Sequence, residues 1–126
     1  MKAPERFSSS DGGRPIPALV VEVVAGGSRP PELRLQGEVD IATLPVLDET
    51  LAAVVDGYSG DVVVDLADVD FIGVAGLGAL CSQARHLRQR GDRLVVSSPS
   101  AFTRRVIDIL GVSELLSLPT QGAQPR

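Results

Sequence analysis

The stretch from Asp61 to Leu80, DVVVDLADVDFIGVAGLGAL, constrains the fold more than any other part of the chain. Val62, Val63 and Val64 are consecutive β-branched residues, ended by Asp65. A strand that is apolar on both faces belongs inside a sheet, covered on both sides or paired on both edges. A strand is therefore predicted over Asp61–Leu66. A short loop follows, in which Val69, Phe71 and Ile72 touch the core again. Gly73, Gly76 and Gly78 then predict a tight reversal of the backbone, which glycine tolerates best. A helix runs from about Ala75 to Arg90, with Leu77, Leu80, Ala84 and Leu87 on its buried stripe.

The other elements are arranged around this unit. Met1 to Pro17 is polar and rich in Ser, Gly and Pro, and reads as a disordered tail. Ala18–Ala25 is a β-prone run. Gly26 to Pro31 predicts a long, proline-bearing hairpin loop, and Glu32–Gly37 a second strand. Leu33 and Leu35 alternate there with Arg34 and Gln36, so that strand has one wet face. Thr43 is placed to cap the first helix, with Pro45 in its first turn. Leu44, Leu47, Leu51, Val54 and Val55 form its apolar stripe. Arg93–Ser97 is the next strand, and Ser98-Pro99-Ser100 opens a third helix reaching about Leu110. Phe102, Val106, Ile109 and Leu110 are its inward residues. Glu114–Leu118 adds a short last strand, and residues 119–126 form a flexible end.

The order β-β-α-β-α-β-α-β predicts an α/β fold in one domain over residues 18–118. Its sheet is mixed but mostly parallel, with four to five strands and three helices, and the crossovers are right-handed. A chain of 126 residues holds one core and is too short for two.

Residue chemistry points away from catalysis. The one histidine, His86, falls mid-helix among arginines and reads as solvated. The one cysteine, Cys81, rules out an internal disulfide and reads as a small half-buried hydrophobe. Asp65, Asp68 and Asp70 lack the glycine and terminal glutamate of a calcium loop, and no zinc-ligand cluster is present in the sequence. The glycine run reverses the spacing of a dinucleotide fingerprint, and no Lys-Ser/Thr follows it as in a phosphate loop. Catalytic residues, metals and cofactors are therefore not expected. A net charge of −4, with bases and acids interspersed, argues against nucleic-acid binding. No apolar run is long enough to span a bilayer, and the N-terminus lacks the apolar core of a signal peptide, so a cytoplasmic location is expected. A small α/β domain of this kind is expected to bind a protein partner.

The motifs in this order resemble the STAS domain of bacterial anti-sigma factor antagonists. The matching pieces are Gly37-Glu38-Val39-Asp40 with Thr43 entering a helix, the VVVDL strand, and Phe71-Ile72 followed by a four-residue turn and Gly76-Leu77-Gly78-Ala79-Leu80. Arg93-Leu94-Val95-Val96 after a glycine, and Arg104-Arg105-Val106 through Gly111 to Leu116, complete the set. The resemblance spans about Leu19 to Leu118 and implies partner switching. In that mechanism the unphosphorylated antagonist binds an anti-sigma factor, a serine kinase of the histidine-kinase-like ATPase type, and so frees a sigma factor. The kinase then phosphorylates a Ser or Thr in the turn before the second helix. The phosphate brings roughly −1.5 to −2 charges into the interface, and the complex separates.

The chain departs from the family at that turn. The family's turn resembles Asp-Ser-Ser/Thr-Gly, whereas this chain has Gly73-Val74-Ala75-Gly76. Ala75 stands at the phosphoacceptor position and has no hydroxyl. The resemblance implies a partner-binding surface of Asp40, Gly73, Val74, Ala75, Gly76 and Leu77. The expected partner is an anti-sigma factor of the serine-kinase type, bound without phosphorylation at the usual turn. An accessory subunit of a larger assembly, such as a lipid-transport ATPase or a stress-sensing complex, is the other function the resemblance allows. The long N-terminal tail and the shortened C-terminal end leave room for a homodimer.

Overall fold

The computed structural model describes residues 19–118. The expected tail over 1–17 and flexible end over 119–126 lie outside the described residues. The elements are β1 (Leu19–Gly26), β2 (Arg29–Val39), α1 (Leu44–Gly57), β3 (Val62–Ile72), α2 (Val74–Gln89), β4 (Leu94–Ser97) and α3 (Ala101–Leu110). They build a four-stranded sheet in the order β1-β2-β3-β4. β1 and β2 are antiparallel, and β2, β3 and β4 run parallel. The mixed, mostly parallel sheet with three helices is the architecture expected from the sequence.

The hairpin is tighter than its prolines suggest. Gly26 pairs with Arg29, so Gly27 and Ser28 alone make the turn. Gly26 and Gly27 take φ of +138° and +65°, a region that favours glycine. Pro30 and Pro31 belong to β2 and not to a loop. The β1 ladder is irregular between Val24 and Gly26, and the β3 ladder begins at Glu32. The two missing N–H donors thus fall where the pairing is already interrupted.

β3 is one long strand, and the loop expected after Leu66 does not form. Its pairing with β2 continues through Gln36–Asp68, Gly37–Val69 and Glu38–Phe71 to Val39–Ile72, with register shifts after Arg34 and after Gly37. At the first shift the Ala67 N–H donates to Asp65 Oδ1 at 2.9 Å. Asp65 therefore serves a bulge within a continuing strand.

The register sorts the sheet into two faces. Leu33, Leu35, Val62, Val64, Leu94 and Val96 are buried on one. Val63 and Val95 are only half-buried and Arg34 is exposed on the other. β3 is therefore paired on both edges over Val63–Asp65 and fully covered on one face there. Leu47, Leu51, Val54 and Val55 of α1 and Leu77, Leu80, Ala84 and Leu87 of α2 join the same core, as their three-and-four spacing predicts.

Arg90, at the end of α2, clasps the end of α1. Its Nη1 donates to the Val55 carbonyl at 2.8 Å and its Nη2 to the Tyr58 carbonyl at 2.9 Å, while Nε donates to Asp92 Oδ2 at 2.9 Å. Two of these acceptors are carbonyls at a helix end, which otherwise lack intrahelical donors. A lysine ammonium cannot span the three acceptors as the planar guanidinium does. The Arg90→Lys variant is expected to lose about 1–3 kcal/mol in urea denaturation. A midpoint equal to that of the unaltered chain would show the clasp to be energetically neutral.

α3 is the element whose phase differs from the sequence reading. Ser100 Oγ accepts from the Thr103 N–H at 3.1 Å and caps the helix. The inward residues are Thr103 and Ile107, one turn apart. Phe102 and Ile109, expected inside, are 67% and 75% exposed, Leu110 is also exposed, and Val106 is half-buried. The last strand expected over Glu114–Leu118 is a series of turns. Only the Leu116 carbonyl joins the sheet, accepting from the Val96 N–H at 3.0 Å, while its side chain fills the core.

Candidate protein-docking site

The site forms where β2 and β3 end side by side, at Val39 and Ile72. The Gly73 N–H donates to the Val39 carbonyl at 2.9 Å and extends the ladder by one rung before the chain enters α2. Gly73 is the N-cap, with φ −84° and ψ 177°, an extended conformation open to any residue. Gly76 and Gly78 lie inside the helix. The glycine run is thus not the tight reversal expected from the sequence. Gly76 is required for packing. A Cβ there would sit 2.6 Å from Val39 Cγ1 and 3.0 Å from Ile72 Cγ1. Its absence lets the first turn of α2 rest directly on the strand ends. Gly78 faces open space.

The neighbouring β2–α1 loop is locked by two residues. Asp40 Oδ1 accepts from the Thr43 N–H at 3.0 Å, and Thr43 Oγ1 accepts from the Asp40 N–H at 3.0 Å. The Thr43 hydroxyl also donates to the Glu38 carbonyl at 2.9 Å. Thr43 occupies the N-cap position of α1, but its side chain makes no cap bond to the helix. The reciprocal pair is the logic of a capping box, begun three residues earlier by Asp40. It fixes the loop beside the start of α2.

The expected site residues divide into three groups. Val74 and Ala75 are exposed, Val74 by 70%. Asp40 and Gly73 are half-buried. Gly76 and Leu77 are buried against the chain's own core. They hold Val74 and Ala75 in place and do not themselves face outward. Two further apolar residues flank this turn. Phe71 is 47% exposed and its ring lies against Gly73, since a Cβ on Gly73 would be 3.5 Å from Phe71 Cε2. Ile41, in the locked loop, is 78% exposed. Neither is among the site residues expected from the sequence. Phe71 was assigned to the core, and Ile41 was passed over, although a bare isoleucine in a polar loop is itself a signal. Glu38 and Asp40 at the end of β2 and Asp70 near the end of β3 bring carboxylates to the same strand ends. The result is an apolar centre with an acidic rim.

The remaining candidates do not join the site. His86 is exposed on α2. Cys81 is buried, and desolvation pushes its thiol pKa up, against the pull of the nearby Arg85. A raised pKa keeps the thiol protonated at neutral pH, and the thiolate is the reactive form. Iodoacetamide is therefore expected to modify Cys81 slowly in the folded chain and rapidly in denaturant; equal rates would contradict this burial. Among the described residues no group of His, Cys, Asp and Glu is arranged to hold a metal ion, and no helix is long and apolar enough to cross a membrane.

Comparison with known proteins identifies the fold. The anti-sigma-B factor antagonist of Staphylococcus epidermidis is 32% identical over 85 residues, covering 68% of this chain and 79% of that protein. Among solved structures, an anti-sigma factor antagonist from Mycobacterium paratuberculosis matches with a TM-score of 0.68 at 27% identity, covering 82% of this chain and 88% of that one. The unphosphorylated anti-sigma factor antagonist SpoIIAA matches with a TM-score of 0.67 at 16% identity, over 81% of this chain and 90% of that one, a likeness of fold. A family model described as the Mlab, STAS domain matches residues 23–117, and with the strand ends and α2 arranged as above, the chain belongs to the STAS domain family.

Proposed function

We propose that this chain is an anti-sigma factor antagonist that is not switched by phosphorylation at the turn before α2. It acts in the cytoplasm as a binding protein without catalysis. Its partner is an anti-sigma factor of the serine-kinase type, engaged through Ile41, Phe71, Val74 and Ala75 with Asp40 beside them. The observation that carries this reading is the exposure of Val74 and Ala75 at the switch position, apolar and without a hydroxyl. The apolar centre favours a partner surface that is apolar at its core, and the carboxylates around it favour a basic rim on that partner.

The second reading, an accessory subunit of a larger assembly such as a lipid-transport ATPase, draws on the same missing hydroxyl. It also draws on the matching family model, which carries the name Mlab. Affinity purification from cell extract with the full chain as bait separates the two. Recovery of a kinase-type anti-sigma factor supports the antagonist. Recovery of an ABC-type ATPase without such a kinase overturns it in favour of the subunit.

A further inference from the structure

We infer that Thr43 is a positioning residue for partner binding: it holds Ile41 in the conformation that docks without touching the partner itself. That role rests on the docking surface proposed above. Thr43 is 7% exposed, so a protein seated on that surface does not reach its side chain. Ile41, two residues earlier, is 78% exposed. An isoleucine so exposed contributes little to the free fold, and its apolar area leaves water only in a complex. The sheet sets its place. The Val39 carbonyl accepts from the Gly73 N–H at 2.9 Å, so the ends of β2 and β3 share a last rung. Ile41 follows Val39 by two residues, and Val74 follows Gly73 by one. The two exposed apolar residues therefore leave the same rung, one on each chain segment.

A loop residue ordinarily loses conformational freedom at the moment of binding, and affinity falls by that amount. The β2–α1 loop is ordered beforehand. The Asp40 carbonyl accepts from the Leu44 N–H at 2.8 Å, which closes the turn. The Asp40 N–H donates to Thr43 Oγ1 at 3.0 Å, and the Thr43 hydroxyl donates to the Glu38 carbonyl at 2.9 Å, which ties the turn back to β2. Ile41 and Ala42 are the exposed tip of this closed turn. Two of the three bonds meet at one atom, Thr43 Oγ1. Removing it leaves the Asp40 N–H and the Glu38 carbonyl without these partners in a part-buried setting. The turn then loosens, and Ile41 must be ordered by the partner. A purely structural role for Thr43 would lower the melting temperature and leave the affinity of the folded chain unchanged.

A double-mutant cycle on the full chain tests the coupling. The probe is the kinase-type anti-sigma factor recovered with the chain from cell extract, titrated calorimetrically, with each variant's fold checked by circular dichroism. Ile41→Ala is expected to weaken binding about tenfold, and Thr43→Val about 3- to 10-fold. Thr43→Ser keeps the hydroxyl and is expected to stay within about twofold of the unaltered chain. In the Ile41→Ala background Thr43→Val is expected to weaken binding no further, because the side chain it positions is gone. Additive losses, an unchanged affinity of Thr43→Val, or a loss that Thr43→Ser shares overturns the positioning role, provided that Ala75→Glu still weakens binding. Ile41→Ala alters an exposed side chain and leaves the core intact, so unchanged affinity there overturns the inference by itself. No binding at all, or binding that Ala75→Glu does not alter, overturns the docking surface, and this role with it.

Discussion

The Gly76→Val variant is expected to lose about 3 kcal/mol of stability, while Gly78→Ala, two positions along the same helix, is expected to gain about 0.5–1 kcal/mol. The two glycines share a helix, and they differ in what lies beyond their α-carbons. At Gly76 even the first side-chain carbon would stand 2.6 Å from Val39 Cγ1. Val39 is fully buried and short, so its methyl has no free space to swing into. Ile72 blocks the other side at 3.0 Å. Valine adds two more carbons and a β-branched penalty within the helix. The helix must then lift off the strand ends, taking Val74 and Ala75 with it. At Gly78 nothing lies within 4 Å, so only the backbone entropy of glycine remains to be removed. A native domain holds about 5–15 kcal/mol in all, so the first change is large. Urea denaturation followed by circular dichroism measures both. Similar effects at the two positions would contradict the close seat of α2 on the strands.

The second large effect concerns binding. Ala75→Glu is expected to weaken partner binding about 10- to 100-fold, or ~1.4–2.7 kcal/mol, without unfolding the chain. Ala75 is exposed in the second position of α2, so the longer side chain has room in the free protein. A carboxylate in the first turn of a helix is mildly favourable, by about 0.3–1 kcal/mol. In the complex the same carboxylate must lose its water at the centre of an apolar contact. Stability and affinity therefore move in opposite directions, which a merely structural role for Ala75 would not produce. Calorimetric titration against the partner, beside a thermal melt, checks the pair of signs. Unchanged affinity with an intact fold would remove the turn from the interface.

The parts of this architecture that were legible in the sequence are those where packing follows a simple period. α1 and α2 bury the stripes their leucines and valines mark, and β2 alternates as Leu33 and Leu35 indicate. The parts that were not legible depend on contacts between distant residues. A short loop was expected after Leu66, yet the strand continues with bulges to Ile72, past the end of its pairing with β4 at Asp65. In α3 the stronger apolar period, through Phe102, Val106 and Ile109, faces largely outward. The cap at Ser100 and the seats for Thr103 and Ile107 set the phase instead. The glycine run stands at the start of α2, beside the proposed site. Its physical reason changed, from a strained turn to one absent Cβ at Gly76. Of the proposed docking surface, Val74 and Ala75 are visible from their place in the turn that resembles the family's. Phe71 and Ile41 required the fold, because only β3 running on to Ile72 carries Phe71 out of the core.

A turn that docks a partner without a phosphate switch should bind alike whether or not a kinase has acted on the chain. Binding of the purified chain to a kinase-type anti-sigma factor, titrated before and after incubation with magnesium ATP, tests it most directly. The expected result is the same affinity in both titrations, with no phosphate detected on the chain by mass spectrometry. Loss of binding after ATP, with phosphate on any residue around the start of α2, would contradict it.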